Sequence, residues 1–231
     1  MAKSIGILGG MGPMATCDLM GKIIRSTDAK NDQEHIHIYV DCNTNIPDRT
    51  AAILHQGEDP LPEMIKSATR LQVMGADVLI MPCNTAHYFI DRIQQSVNIP
   101  VLNMLKETAA YLQQQSISKA AVLATNGTVQ CGLYDKALKN AGIEPLYPTT
   151  EEQTRIMHLI YDCVKAGKPC PEPEKITALG ARLIEQGAQT LILGCTELPI
   201  AFAQIGADLP TVDPTEVLAR AAVRFAGYNV K

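Results

Sequence analysis

The chain has 231 residues, of which 46% are hydrophobic and 19% are charged, and its formal net charge is −4 at neutral pH. This balance predicts a globular protein with a sizeable core, either one large domain or two domains of about 100 to 130 residues. The negative net charge does not indicate a basic surface for nucleic acid. No apolar run approaches the roughly 18 residues that a membrane span requires. We therefore expect neither a nucleic-acid nor a membrane partner.

The cysteines and the start of the chain predict a compartment. Seven cysteines are present, an odd number, and none of them form a CxxC pair. No signal-peptide pattern precedes the first predicted strand. Reduced thiols in the cytoplasm are the expectation.

Strand-like and helix-like patterns alternate along the chain. Short apolar or alternating runs predict strands over residues 4–8, 35–41, 78–82, 99–102, 119–123, 144–147, the run that ends at Cys195, and 210–213. Amphipathic spacing predicts helices over residues 16–27, 61–74, about 85–95, 107–115, 133–140, 155–165, 174–186 and 215–225. Residues 42–56 form a polar, loop-rich stretch. This alternation is typical of right-handed βαβ units on parallel sheets.

The second half of the chain repeats landmarks of the first. Residues 119–128 match 4–13 at a shift of 115 residues, which places Gly127 over Gly12. We predict an α/β fold with two pseudo-symmetric lobes, each a mostly parallel four-stranded sheet flanked by helices. The N-terminal lobe would comprise residues 1–104 plus 214–231, and the C-terminal lobe 105–213. Open α/β sheets bind ligands at the carboxyl ends of their strands, so we expect the active site in the cleft between the lobes.

Two cysteines end matching apolar runs. Cys83 falls eight residues after Gly75, and Cys195 falls eight residues after Gly187. Each is expected to follow a strand and precede a helix N-terminus, which favours a thiolate and lowers its pKa. Two equivalent thiols can remove a proton from one face of a carbon and deliver a proton to the other. A single cysteine is usually a core residue, but this repetition favours a functional pair. The remaining cysteines have no such echo and are interpreted as packing residues or exposed thiols.

Three motifs resemble signatures of the aspartate/glutamate racemase family: IGILGGMGP at residues 5–13, PCNTAH at 82–87 and GCTELP at 194–199. The resemblance keeps the motif order over essentially the whole chain. Glu197 in the third motif resembles the aspartate racemase branch, whereas glutamate racemases usually carry histidine there. The resemblance implies a racemase that needs no cofactor, is commonly dimeric, and uses Cys83 and Cys195 as its acid/base pair. Some relatives replace one cysteine with threonine, but this chain keeps both. His35 and His37 share one strand face, but no further Cys or Asp has metal-ligand spacing near them, so no metal site is expected.

An acidic amino acid needs anchors for two carboxylates and an ammonium. Backbone amides after each cysteine, together with Asn84, Thr85 and Thr196, are suited to stabilise charge on the α-carboxylate. Arg49 could grip the side-chain carboxylate bidentately. The family also places a lysine after a helix of the second lobe, and Lys165 matches it best. Solvated surface charge is the alternative interpretation of both cations.

The glycine-rich loop and the residues beside the cysteines allow more than one interpretation. Residues 10–15 formally fit the dinucleotide fingerprint, but the next strand ends at Asp41, later than the roughly 20-residue spacing expected for the ribose-binding acid. A substrate carboxylate at a helix N-terminus explains the same loop, which makes Met11 and Thr128 predicted site-lining residues. His87 could tune the Cys83 thiolate or lie on a helix surface. Glu197 could orient the substrate ammonium or stabilise a helix N-terminus.

The predicted activity is interconversion of L- and D-aspartate, with glutamate also open because one methylene discriminates by only about 1–3 kcal/mol. Related enzymes are the alternatives: maleate cis–trans isomerase, hydantoin racemase or a decarboxylase. A decarboxylase needs only one thiol, so two intact cysteines count against it. A non-catalytic dicarboxylate-binding protein is a further alternative, and it would need neither thiol.

Overall fold

The computed structural model describes residues 2–231 and divides into two compact units. The first unit comprises the chain up to Glu107 together with Thr215–Lys231, and the second is Thr108–Pro214. Each unit is a parallel sheet flanked by helices, which confirms the predicted α/β class. Within residues 2–231, no helix is long and apolar enough to cross a membrane. The same residues contain no group of three or more His, Cys, Asp or Glu side chains that could hold a metal ion.

The strands and helices alternate along the described chain. The strands are β1 (Ile5–Gly9), β2 (Ile38–Cys42), β3 (Val78–Ile80), β4 (Lys119–Ala124), β5 (Glu144–Leu146), β6 (Thr190–Gly194) and β7 (Thr211–Val212). The α-helices are α1 (Pro13–Ser26), α2 (Arg49–Ile53), α3 (Leu61–Met74), α4 (Ile90–Gln94), α5 (Met104–Gln114), α6 (Asn126–Gln130), α7 (Leu133–Asn140), α8 (Thr150–His158), α9 (Pro173–Glu185), α10 (Leu198–Ile205) and α11 (Pro214–Phe225). Two 3₁₀ segments and one π-helical segment complete the helical structure: Asp32–Glu34, Thr85–Phe89 and Leu159–Val164.

The sheet of the first unit has three strands in the order β2-β1-β3, not the four that were predicted. The predicted fourth strand over residues 99–102 is reduced to one parallel bridge between Leu79 and Val101. The bridge consists of the Leu79 N–H donating to the Pro100 carbonyl at 2.9 Å and the Leu102 N–H donating to the Leu79 carbonyl at 3.0 Å. Pro100 has no N–H with which to add a further bond to β3. The ladder therefore cannot extend along this segment.

The sheet of the second unit has the predicted four strands, in the order β5-β4-β6-β7. All its strand pairs are parallel, and the β4–β6 pairing runs from Ala120 opposite Thr190 to Ala124 opposite Gly194. In both units the cysteine motif therefore follows a strand that pairs directly with the unit's first strand, β1 or β4.

Side chains that alternate along the strands bury both faces of the first sheet. Ile5 and Ile7 point to α1 and α11, where they pack with Leu19 and Leu218. The opposite face packs against α3 and α4. The closing helix α11 thus completes the first unit, although it follows the second unit in the sequence.

Several helix boundaries differ from the pattern-based prediction. The helix predicted over residues 155–165 begins earlier, at Thr150, because Thr149 and Glu152 form a capping box. It then continues as the π-helical segment Leu159–Val164. The stretch predicted as loop over 42–56 contains the short helix α2, whose first turn is capped by the Asp48 side chain.

Candidate active site

The first half of the candidate site lies at the carboxyl end of β3. Cys83 follows that strand by three residues, and only 7% of its surface is exposed. Asn84 and Thr85 come next and are also buried, and Thr85 begins the 3₁₀ segment Thr85–Phe89. Helix α2 packs against this segment. A thiol and two short polar side chains are thus gathered at one edge of the sheet.

His87 is buried behind Cys83, with 4% of its surface exposed, and so does not lie on a helix surface. Its Nε2 accepts the Met104 N–H at 3.0 Å, and its Nδ1 lies 2.8 Å from the Cys83 carbonyl oxygen. The proton is therefore on Nδ1, which donates to that carbonyl. Burial lowers the pKa of His87 to about 4, although backbone carbonyls of Cys83, Leu102 and Asn84 favour the protonated form. The imidazole is neutral at physiological pH.

The glycine-rich loop after β1 lies at the same edge of the sheet. Gly10 has a φ of +87°, and a Cβ there would lie 2.3 Å from the Asn43 backbone, so a side chain is excluded. The Thr16 hydroxyl accepts the Gly10 N–H and donates to the Gly12 carbonyl, both at 2.9 Å. The loop thereby holds Met11, which belongs to the same apolar cluster as Cys83.

Arg49 is buried, with 7% of its surface exposed, and is not a solvated surface charge. Its Nη1 donates to the Ile46 and Pro47 carbonyls at 3.3 and 2.9 Å, and its Nη2 donates to the Met11 carbonyl at 3.2 Å. The guanidinium therefore ties the loop before α2 to the glycine-rich loop. This places a positive charge among the residues that surround Cys83.

The second half of the candidate site lies at the carboxyl end of β6. Cys195 follows Gly194, the last residue of the strand, and is 8% exposed. Its thiol donates to Glu197 Oε2 at 2.9 Å, and the Thr196 hydroxyl donates to the same oxygen at 3.1 Å. Glu197 is itself buried and immediately precedes α10. The carboxylate is thus aimed at the thiol.

The pKa of Cys195 is raised well above its ordinary value, contrary to the prediction that a helix N-terminus lowers it. Burial is the largest cause, and the Glu197 carboxylate raises the pKa further. The charge of Lys165 and the Glu197 backbone N–H act in the opposite direction but do not prevail. Cys195 is consequently a protonated thiol at neutral pH.

Tyr134, which the sequence analysis did not select, lies against Gly194, the residue directly before Cys195. The ring is fully buried, and a Cβ on Gly194 would lie 3.1 Å from its Cε2. Burial raises the pKa of Tyr134, and its hydroxyl is hydrogen-bonded to Thr108. Gly194, directly before Cys195, was the signal available in the sequence, because a glycine at the end of a buried strand indicates that another side chain packs closely against the backbone.

Thr128 and Lys165 occupy the same unit as Cys195. Thr128 is buried in α6, where its hydroxyl lies 3.2 Å from that of Thr125. Lys165 follows the π-helical segment, is exposed, and places its ammonium 4.4 Å from the centre of the Tyr161 ring. That segment packs against α10, which follows Cys195.

The structure thus gathers the predicted site residues into two sets, one in each unit. The first unit holds Met11, Arg49, Cys83, Asn84 and Thr85. The second holds Thr128, Lys165, Cys195, Thr196 and Glu197. All seven cysteines are free thiols. Apart from Cys83 and Cys195, Cys163 is buried, Cys170 is partly exposed, and Cys17, Cys42 and Cys131 are exposed.

Each of the two units is an α/β unit with a parallel sheet, and each presents a buried cysteine after an equivalent strand. Comparison with known proteins establishes that the chain belongs to a class of isomerases, the racemases. The Asp/Glu/Hydantoin racemase family matches residues 8–222, nearly the whole chain. The chain belongs to this family, which confirms the resemblance seen in the motifs.

Similar proteins include racemases of differing specificity. The broad specificity amino-acid racemase RacX of Bacillus subtilis is 31% identical over 228 residues, which cover 95% of this chain and 96% of RacX. The structure of the Picrophilus torridus aspartate racemase aligns with a TM-score of 0.82 at 30% identity, covering 99% of this chain and 96% of that one. A glutamate racemase from Francisella tularensis, solved with D-glutamate, aligns with a TM-score of 0.69 at 17% identity, covering 97% and 81% of the two chains. This last likeness shows the fold alone.

Proposed function

We propose that this protein interconverts L- and D-aspartate without a cofactor, by a two-base mechanism in which Cys83 and Cys195 act on opposite faces of one α-carbon. The observation that carries the proposal is the duplicated thiol. Each unit buries one cysteine at the carboxyl end of the strand beside its first strand. Neither packing nor simple binding requires this repetition.

The resting protonation state suggests how a cycle starts. The Cys195 thiol is protonated and donates a hydrogen bond to Glu197, so it is prepared to act as the acid. Cys83 is then the base that removes the α-proton while Cys195 delivers a proton to the opposite face. After turnover the proton resides on Cys83, and Cys195 is the thiolate. This state, with a thiol at Cys83 and a thiolate at Cys195, is the one from which the reverse direction begins.

Removing an α-proton places negative charge on the substrate. The α-hydrogen of an amino acid is a very weak acid, so this charge is costly to form. Preorganised donors must stabilise this charge. In the proposal the backbone amides after each cysteine and the side chains of Asn84, Thr85 and Thr196 bind the α-carboxylate. All three side chains are buried, and buried donors act in surroundings of low dielectric constant, where they are strongest.

The side-chain carboxylate of aspartate is assigned to Arg49 and Lys165. Arg49 is a buried cation beside Met11, and Lys165 is near enough for its charge to act on Cys195. In the proposal Met11 and Thr128 line the pocket. The name of the Picrophilus torridus relative supports aspartate as the substrate.

A racemase of broader specificity is the second candidate. The Arg49 guanidinium already donates to three backbone carbonyls, so part of its capacity serves the protein itself. The broad specificity of the similar protein RacX favours the same alternative. Comparing kcat/KM for aspartate, glutamate and neutral amino acids separates the two candidates.

Exchange of the α-hydrogen in heavy water tests the proposed reaction. Each enantiomer of aspartate should gain deuterium at Cα and yield the opposite enantiomer. Cys83→Ala and Cys195→Ala should each abolish racemisation, whereas Cys17→Ala, at an exposed position on α1, is the matched control. Absence of exchange from both enantiomers would rule out the racemase, and racemisation that survives either active-site change would rule out the two-base mechanism.

The same samples test the related activities. Turnover of maleate or a hydantoin without exchange of aspartate would favour those enzymes. Tight binding of a dicarboxylate without exchange would favour a binding protein.

We also propose a cytoplasmic homodimer. The free thiols agree with a reducing compartment. Exposed apolar side chains on α1, among them Met14 and Ile24, offer a surface that a second copy can cover. Light scattering that gives the mass of a monomer at micromolar concentration would contradict the dimer.

A further inference from the structure

We propose that His87 is a positioning residue for the proton transfer that uses Cys83, holding the backbone of this cysteine where the sheet no longer does. This inference rests on the proposed two-base racemisation. It assigns His87 no contact with the substrate.

The sheet leaves the two cysteines unequally supported. The last β4–β6 pair is Ala124 with Gly194, directly before Cys195. The last β1–β3 pair is Ile7 with Ile80, three residues before Cys83. Pro82 lies in that gap and has no N–H with which to continue a ladder. Cys83 therefore needs another anchor for its backbone.

His87 provides that anchor with both ring nitrogens. Nδ1 donates to the Cys83 carbonyl at 2.8 Å, and Nε2 accepts the Met104 N–H at 3.0 Å. The ring is buried, and Met104, the first residue of α5, is itself fully buried in the core of the first unit. The imidazole thus links the backbone that carries the thiol to a fixed point in the packed core.

In the second half of the site a backbone group holds the carbonyl of the cysteine. The Cys195 carbonyl accepts the backbone N–H of Leu198 at 2.9 Å, so the helical turn after the cysteine is sufficient. The residue four positions after Cys195 is Pro199, which can neither donate nor accept through its side chain. A change at His87 should therefore disturb proton transfer at Cys83 and leave proton transfer at Cys195 intact.

Steady-state rates of racemisation cannot reveal this asymmetry. Because the two enantiomers have equal free energy in water, kcat/KM must be the same in both directions for every variant. The test therefore uses single-thiol backgrounds in heavy water. Cys195→Ala leaves Cys83 to exchange the α-hydrogen of one enantiomer, and Cys83→Ala leaves Cys195 to exchange that of the other.

His87→Gln is then added to each background. We expect exchange in the Cys195→Ala background to fall about 10- to 100-fold, since a displacement near 1 Å at a reacting group has effects of this order. Exchange in the Cys83→Ala background should stay within about twofold of its starting value. His87→Asn, whose amide nitrogen can replace Nδ1, should retain more exchange than His87→Gln. His37→Gln, at an exposed histidine, is the matched control.

Equal loss in both backgrounds, or no loss in either, would overturn the inference. If the wild type racemises but the single-thiol variants exchange too slowly to measure, the effect of α-deuteration on kcat/KM replaces them. His87→Gln should then increase this isotope effect for the enantiomer that Cys83 deprotonates and decrease it for the other. An unchanged pair of isotope effects would count against the inference. Absence of racemisation by the wild type would instead refute the proposed function.

Discussion

The two cysteines occupy equivalent places in two sheets, yet their surroundings differ in charge and in support. Cys195 directly follows its strand and donates to a buried carboxylate. Cys83 stands three residues beyond its last strand pair and is backed by a neutral imidazole. The repeat thus keeps the position of the thiol, while the residues just after each cysteine determine how it is held and protonated.

The largest effect is expected from replacing either sulfur with oxygen. Cys83→Ser and Cys195→Ser keep the size of the side chain, but a hydroxyl is too weak an acid to replace a thiol in the proton transfers. Racemisation should fall by about 10²- to 10⁴-fold in both variants, the range of general acid–base catalysis. Chiral chromatography measures the rate. If only one variant loses activity, the two thiols do not have matching roles.

The glycine-rich loop should be the most sensitive structural element of the first half-site. Any other residue at position 10 would have to adopt a left-handed backbone conformation, and its Cβ would lie 2.3 Å from the Asn43 backbone. Adding about 1–2 kcal/mol for the conformation to about 1–3 kcal/mol for overpacking, Gly10→Ala should lower the free energy of unfolding by roughly 2–5 kcal/mol. Urea denaturation measures this.

Gly12→Ala is the matched control for Gly10→Ala, because a Cβ at Gly12 meets no heavy atom within 4 Å. It should change the free energy of unfolding by less than about 0.5 kcal/mol. Equal effects of the two substitutions would show that the close approach of the Asn43 backbone does not restrict the side chain at position 10. The second unit provides the contrast, since Thr125, at the position of Gly10, has a φ of −69° and caps α6.

His87 should make the stability of the protein depend on pH. Its pKa is about 4 in the folded protein and 6.5 by reference, so the unfolded chain binds more protons between these values. The contribution is fully present above pH 6.5 and is lost as the pH falls towards 4, by about 3 kcal/mol in total. Denaturation midpoints at pH 7, 5.5 and 4.5 should fall less steeply in His87→Asn. Parallel pH profiles of the two proteins would contradict a buried neutral histidine.

The smallest expected effect concerns the acidity of Cys195. The Glu197 carboxylate raises the pKa of this thiol and the Lys165 ammonium lowers it. Glu197→Gln should therefore lower the pKa of Cys195, and Lys165→Met should raise it further. The pH dependence of alkylation by iodoacetamide reports both shifts when measured in the Cys83→Ala background. Shifts in the same direction for the two variants would refute this electrostatic arrangement.

Local signals in the sequence predicted much of the fold. Alternating apolar runs located the strands, and helix α3 was predicted over its full length because Gly75 ends it in a left-handed conformation. The first sheet has one strand fewer than predicted because Pro100, within the run of residues 99–102, has no N–H with which to lengthen the bridge between Leu79 and Val101.

The sequence by itself determined the repeated units, the two cysteines after equivalent strands and the membership of the racemase family, because these depend on residue order and spacing. Only the tertiary structure decided the state of the groups around the thiols. Arg49 donates to the carbonyl of Met11, 38 positions away. His87 is neutral because it is buried, and its Nε2 accepts the N–H of Met104, 17 positions on. Cys195 keeps its proton because burial and a neighbouring carboxylate outweigh a helix N-terminus. Protonation depends on the surroundings that folding assembles, and spacing along the chain does not specify those surroundings.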